Sequence, residues 1–595
     1  MAEYSKLVIT NYGQELLAKM IAGSGNIDFT KVSASSTTYT EAQLASLTSL
    51  SNIKQTSLIS KVTRTNNVAI KVEAAFSNAS LTTGYYMRTL GLYAIDPDRG
   101  EILYAAVIET SGNCYIPPYN GVTVTGAYIQ MISTVGNADN VSLAVDPGAF
   151  ATIGDVQELE SEIADLKAFV GYTDDGIYGV EVDFKNKKFT RLAGAVNRTP
   201  GAAFDAINAF GGRKRCNVDN SGNVIAYYGD AGFSTTGKLT QAVTVGEGDA
   251  AVTYASGTIV QVKVEQPKFY YKVVPLLVEK KAKGSITRKI RYYVSDTAKA
   301  GFKLHPAFIV NGQENEKIYV SAFEGSLWDA SASTYILDDS QVADFAADML
   351  SSIANAKPMS GLTQNLVRSN VRKLAEKRGT GWEQATVQTA AASELLMLIE
   401  YASFNMQSAI GQGAVNKTDD GSSNMAENTG VTITLGNASG TASNANGVQF
   451  VTYRGEENFW GNIWGWADGL NQYFDAANKT STIYIADHGF TDDTNATPYE
   501  DAGIIPSLTN GYVSAFCYSE DYDWLFIAGE VLGDSSLPVG DYFWQTTTTG
   551  WRVAILGAGW DIGLDAGAFY WYLDDASSTR GRNVGGRLVY RKKVA

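Results

Sequence analysis

Eight of the ten tryptophans lie beyond position 459, in stretches with little helical or strand periodicity. "YRGEENFWGNIWGWADGLN" sets Trp460, Trp464 and Trp466 within seven residues. "RVAILGAGWDIGLDAGAFYWYLDDASSTRGRNVGGRLVYRKK", from Arg552 to Lys593, crowds Trp560, Phe569, Tyr570, Trp571 and Tyr572 among glycines and scattered polar residues. Such a concentration calls either for one large aromatic core or for a stacking surface that receives sugars or protein side chains. For any single tryptophan, the core is the default expectation.

At 595 residues the chain exceeds one compact domain, and three or four domains are expected. Its 58 glycines against 12 prolines favour turn-rich β structure. A formal charge of −15 argues against nucleic acid and against an anionic membrane surface as partners. Cys114, Cys216 and Cys517 lie far apart with no CxxC spacing, so neither a disulfide framework nor a thiolate metal site is expected. His305 and His488 are the only imidazoles and are expected to be structural. "MAEYSKLVITNYGQELLAKM" has no basic stretch leading into an apolar one, which argues against a secretory signal, and no run reaches the ~18 apolar residues of a spanning helix. The expectation is a soluble chain made in a cytoplasm and carrying no cofactor.

Along the chain, Thr10 or Asn11 can cap a helix through "GQELLAKMIAG", with Gly23 and Gly25 as its stop signals. Alternating segments such as "VAIKVEAAF", "RTLGLYAID" and "EILYAAVIE" follow, so residues 1–150 read as an α+β unit. In "DVQELESEIADLKAFVG", Val156, Leu159, Ile163, Leu166 and Val170 step by 3, 4, 3 and 4, an a/d seam over 151–172. That seam fits a linker helix packed on a neighbour, or a short coiled coil that registers several copies of the chain. Residues 173–300 read as a β-rich segment. Helices are predicted at 338–356, 361–379 and 389–411, the last apolar nearly all round and therefore buried. Residues 416–447 read as a polar loop.

Two parts of this chain resemble known families. The first ~145 residues, with "LVITNYGQELLAKMIAG" and "LGLYAIDPDRGEILYAAV", resemble the N-terminal domain of phage tail-collar or tail-fibre proteins. That resemblance implies a tail-attachment role, phage tail and baseplate proteins as partners, a homotrimer, and a place in the virion. "LVRSNVRKLAEKRGTGWEQAT", "YRGEENFWGNIWGWADGLN" and "GWRVAILGAGW…GGRLVYR" resemble the C-type lectin-like fold in its formylglycine-generating-enzyme branch. Leu556–Trp560 and Gly585–Leu588 stand where that branch has its two terminal strands, though their residues depart from its patterns. The layout is also similar to the variable proteins of diversity-generating retroelements, with a variable region at about 551–590. Positions matching the variable pattern are Asp561, Ile562, Leu564, Asp565, Tyr570, Tyr572, Asp574, Thr579 and Asn583. With Trp571 they form the expected ligand-binding set, for a bacterial surface receptor that is either protein or glycan.

The fold class expected from all this is a multidomain α+β chain. It comprises a tail-attachment domain at 1–150, a coiled coil at 151–172, a β-rich middle at 173–300 and a C-type lectin-like receptor-binding domain at 301–595. Tyr, Trp, Ser, Asn, Asp and Gly suit recognition, since rigid aromatic area costs little entropy and small polar residues adapt their hydrogen bonding. No catalytic residue is assigned. Cys517 stands alone where the resembled enzymes use a cysteine pair. The acid pairs Asp419/Asp420, Glu456/Glu457, Asp521/Asp523 and Asp574/Asp575 are expected to be solvated turn residues. A glycan hydrolase would need two of them flanking a bond, and it stands as the alternative beside a purely structural spacer fibre. No calcium-loop spacing and no P-loop or dinucleotide fingerprint is present.

Overall fold

A computed structural model describes residues 4–134 and 175–592, apart from 24–26, 67–68, 113, 120–125, 282–283, 339–341, 362–364, 420 and 422–424. The chain divides into two compact units, Met1–Gly171 and Tyr172–Ala595. Strands make up 39% of the structure and helices 12%. This corrects the expected multidomain α+β class: the fold is β-rich. The seam expected at 151–172 lies outside the described residues.

In the first unit, seven antiparallel strands form one sheet in the order Val8–Ile9, Gly100–Ile108, Thr89–Asp96, Asp28–Ser35, Ile53–Asn66, Ala69–Ser77 and Gly126–Thr134. The helix Asn11–Gly23 begins at Thr10, whose Oγ1 accepts from the Gly13 amide (3.0 Å) and donates to the Leu103 carbonyl (2.5 Å). One hydroxyl thus caps the helix and ties it to the sheet. Beyond this helix and the single turn Glu41–Leu44, the described residues of the unit are sheet and loop, so its α+β reading gives way.

In the second unit, strands from 173–300 and from 301–595 share a sheet. Gln261–Pro267 pairs with Lys317–Ser321, which pairs with Leu588–Tyr590, itself beside Trp382–Gln384. A second sheet runs Glu500–Asp501, Thr480–Ile485, Trp464–Asp475, Gly550–Leu556, Trp571–Leu573, Tyr542–Gln545 and Gly511–Tyr512, and Val584–Gly585 adds in parallel to Trp464–Asp475. The helix Val387–Tyr401 runs through the core with every residue from Val387 to Glu400 buried. Thr386 caps its start, and Ala402, in the left-handed region, ends it before the span expected to reach residue 411.

The helix predicted at 338–356 is instead a turn followed by the strand Met349–Ser352, paired with Gly325–Asp329. Asp348 holds the turn by accepting from the Ala330 and Asp344 amides (3.0 and 2.8 Å); these local side-chain bonds compete with a helix. The helix predicted at 361–379 shortens to Arg368–Glu376. On it Arg372 binds Asp468 and Asp492 (2.5 and 2.7 Å), and Arg368 reaches Asp492 and the Leu470 carbonyl. Asp468 lies within Trp464–Asp475, so this buried ion network fixes from behind the strand that carries Trp464.

Candidate functional site

On one edge of the larger sheet, side chains from four segments align in a row of rings. Tyr512 pairs across strands with Tyr542, and Trp544 pairs with Tyr572. Ring centroids are 5.2 Å apart for Tyr512–Tyr542, 5.0 Å for Tyr542–Trp544, 6.1 Å for Trp544–Tyr572 and 5.0 Å for Tyr572–Trp464. Tyr512, Tyr542, Trp544 and Tyr572 are half-buried, leaving ring area open to solvent. The period-two geometry of strands sorts them: Tyr542 and Trp544 point to one face while Phe543 and Gln545 point to the core, and Tyr572 is flanked by buried Trp571 and Leu573. Tyr570, fully buried, continues the row behind Trp464 at 6.4 Å.

Carboxylates border the rings. The Tyr512 hydroxyl donates to Asp565 Oδ1 (2.5 Å), and burial together with this bond pushes the phenol up to about 12. Asp575 is pushed up to about 6 by burial and by the adjacent Asp574, against a weaker pull from Arg552. Burial and these two acids also raise the Tyr572 hydroxyl. The Tyr570 hydroxyl and the indole nitrogens of Trp464 and Trp544 have no hydrogen-bond partner among the described residues.

The loops around the row are held by their backbones. Lys417 N donates to the Trp560 carbonyl (2.8 Å), Gly563 N to Val415 (2.9 Å), Gly461 N to Gly557 (2.8 Å), Val553 N to Asp575 (3.0 Å) and Trp464 N to Asn583 (2.9 Å). Gly557 has φ +81°, and a Cβ there would lie 2.5 Å from the Phe459 carbonyl oxygen, so only glycine fits this turn.

With the geometry in place, the comparisons bear on the other end of the chain. Residues 1–153 match the family model for the phage tail-collar fibre protein, N-terminal. This supports a phage tail-fibre role, association with tail proteins and a place in the virion. No curated protein matches the chain.

The ten expected binding residues separate into groups. Asp565 reaches the Tyr512 end of the row; on the same turn Ile562 is half-buried and Leu564 is 55% exposed. Asp561 is exposed, and Gly559 bridges it to Trp464: a Cβ on Gly559 would lie 3.2 Å from Trp464 Nε1 and 3.8 Å from Asp561 Oδ1. Tyr572 stands at the centre. Asp574, Thr579 and Asn583 are half-buried on the loop that leads to Val584–Gly585. Tyr570 and Trp571, 0% and 1% exposed, are corrected from contact residues to core, because the alternation around Tyr572 turns Trp571 inward. Tyr512, Tyr542 and Trp544 were missed; the alternation in "DYFWQ" was the available signal, but nothing in it says which face is covered.

Glu456 and Glu457 are likewise not solvated. Glu456 pairs with buried Arg213 (2.6 Å), and Glu457 accepts from the Gly430 and Thr432 amides. His305 is fully buried, and burial pushes it down to about 3; its Nδ1 accepts from the Ala307 amide (3.2 Å) to cap a turn. Among the described residues, no three His, Cys, Asp or Glu side chains group to hold a metal ion, and no helix is long and apolar enough to cross a membrane.

Proposed function

We infer that this tail-fibre chain is the adhesin itself: residues 1–150 attach to the tail, and the ring row at Tyr512, Tyr542, Trp544 and Tyr572 grips a bacterial surface receptor. The observation that carries the reading is the row, four half-open aromatic rings at stacking distance on rigid strands. Large aromatics of this kind supply binding hot spots. No covalent step is invoked; the chain holds its target and leaves it unaltered.

The lectin-like, diversifiable character of the surface is supported by its construction. The final strand Leu588–Tyr590 returns beside Trp382–Gln384, and the intervening loops display Asp561, Leu564, Asp574 and Thr579 at the surface or half-buried. A near-copy of the gene's 3′ end, differing at adenines and lying beside a reverse transcriptase, is the expected genomic mark. Assembly as a homotrimer would multiply weak contacts through avidity, and light scattering of the purified chain measures it.

The test is adsorption. Full-length protein carrying Trp544→Ala and Tyr572→Ala should lose binding to cells of a strain the particle infects, with its tail attachment intact. Undiminished adsorption would refute the face. Release of soluble sugar from host envelope by the wild type would favour the hydrolase instead.

A further inference from the structure

The charges around the row restrict what it can hold. Asp561, Asp574 and Asp575 make no ion pair among the described residues, and Asp565 is met only by a phenol. Arg552, whose charge is felt at Asp575, is turned to the Trp551 carbonyl and Thr548. Tyr570 supplies an independent sign. It is fully buried, its hydroxyl lacks a partner, and the charges that act on it are those of Asp565, Asp561 and Asp575, beside the Tyr572 phenol. Among the described residues no cation offsets the acids' charge at this hydroxyl, so the field behind the row is negative throughout.

Resting on the adhesin reading above, we propose that the ring row takes a basic segment of a bacterial surface protein, its arginine or lysine side chains lying over Trp544 and Tyr572 and pairing with Asp561, Asp574 and Asp575. A guanidinium stacks on aromatic faces and bonds carboxylates in one plane. An anionic envelope polymer would be repelled by the same acids, in a chain whose formal charge is already −15. A neutral glycan could use the rings but would leave the adjacent Asp574 and Asp575 uncompensated. A basic segment turns their mutual repulsion into attraction, and it needs them ionised. Asp575 faces Asp574, Arg552 and Thr579, so binding should strengthen as pH rises through 6.

The experiment uses the full chain and a fluorescent acetyl-(Arg-Gly)4-amide peptide, read by anisotropy, with dextran and mannan as neutral competitors. Saturable binding is expected. D561N/D574N/D575N should weaken it at least tenfold, and E314Q/E520Q/D521N, an equal charge change at exposed sites elsewhere, by less than twofold. If the triple site variant loses its near-ultraviolet dichroism, the exposed single D561N should still give about a threefold loss. Equal weakening by both triple variants would reduce the effect to bulk attraction and overturn the proposal, as would displacement by dextran or mannan. Loss of cell adsorption in the ring variants, with full adsorption in the acid-to-amide variants, would overturn the basic ligand and leave the adhesin reading standing. Full adsorption by the ring variants would overturn both.

Discussion

Trp571 and Tyr572 are neighbours in sequence and opposite in role, so paired alanine variants test the assignment of the face. Trp571 is 1% exposed, opposite Phe543 in the sheet core. Removing a buried tryptophan costs about 3–5 kcal/mol. Tyr572 is half-open and gives up ring contacts to Trp464 at 5.0 Å and Trp544 at 6.1 Å, worth about 0.5–1.5 kcal/mol each. Trp571→Ala should therefore destabilise by about 2 kcal/mol more than Tyr572→Ala. All ten tryptophans lie beyond Gly171, so urea unfolding followed by tryptophan fluorescence reports the Tyr172–Ala595 unit alone. Adsorption of the folded proteins should show the reverse order. Tyr572→Ala loses about 2 kcal/mol of binding as a hot spot, roughly thirtyfold, and Trp571→Ala much less. Equal loss of stability in the two variants, or adsorption that tracks stability in both, would mean that the face has been assigned to the wrong side of the strand.

Further outcomes follow from buried groups. Glu394 is buried with both carboxylate oxygens unpartnered among the described residues, and burial holds its pKa well above the ordinary value of 4.5. The fold therefore keeps a proton that the unfolded chain gives up, so stability falls as pH rises above that value, by up to about 1.4 kcal/mol per pH unit. Glu394→Gln should flatten this slope between pH 5 and 8 and raise the urea midpoint at pH 8. A Cβ on Gly567 would lie 2.0 Å from Asp541 Oδ1, and Asp541 is pinned by the Phe569 amide (2.7 Å); Gly567→Ala should cost about 1–3 kcal/mol in the same assay. Arg372→Ala strips the closest cation from fully buried Asp468 and should cost about 3–5 kcal/mol, visible as a lowered midpoint.

The sequence exposed some of this arrangement and concealed the rest for physical reasons. Thr10 and Asn11 both read as caps, because a short polar side chain before "GQELLAKMIAG" can accept from a first-turn amide, and the structure uses Thr10. The apolar circumference of "AAASELLMLIE" reads as buried because no face could meet water. The segment around Asp344 and Asp348 misleads, since its apolar spacing suits a helix while its two aspartates favour a turn. In the last aromatic run, half-buried Tyr572 and buried Trp571 were not told apart, because a dense aromatic run hides the inside–outside alternation. Tyr512, Tyr542 and Trp544 come together only through pairing between distant strands, which spacing within one segment cannot reveal.

Main-chain bonds shape the rim of the aromatic row. The Lys417, Gly563, Val553 and Trp464 amides grip carbonyls at Trp560, Val415, Asp575 and Asn583, and every residue type has a carbonyl to offer. Side chains at 561, 564, 574 and 579 could thus be exchanged like type in a fixed frame, altering the message without bending the metal. On the adhesin reading proposed above, a particle carrying such a tip would change its target by point substitutions alone, with no need to refold its architecture.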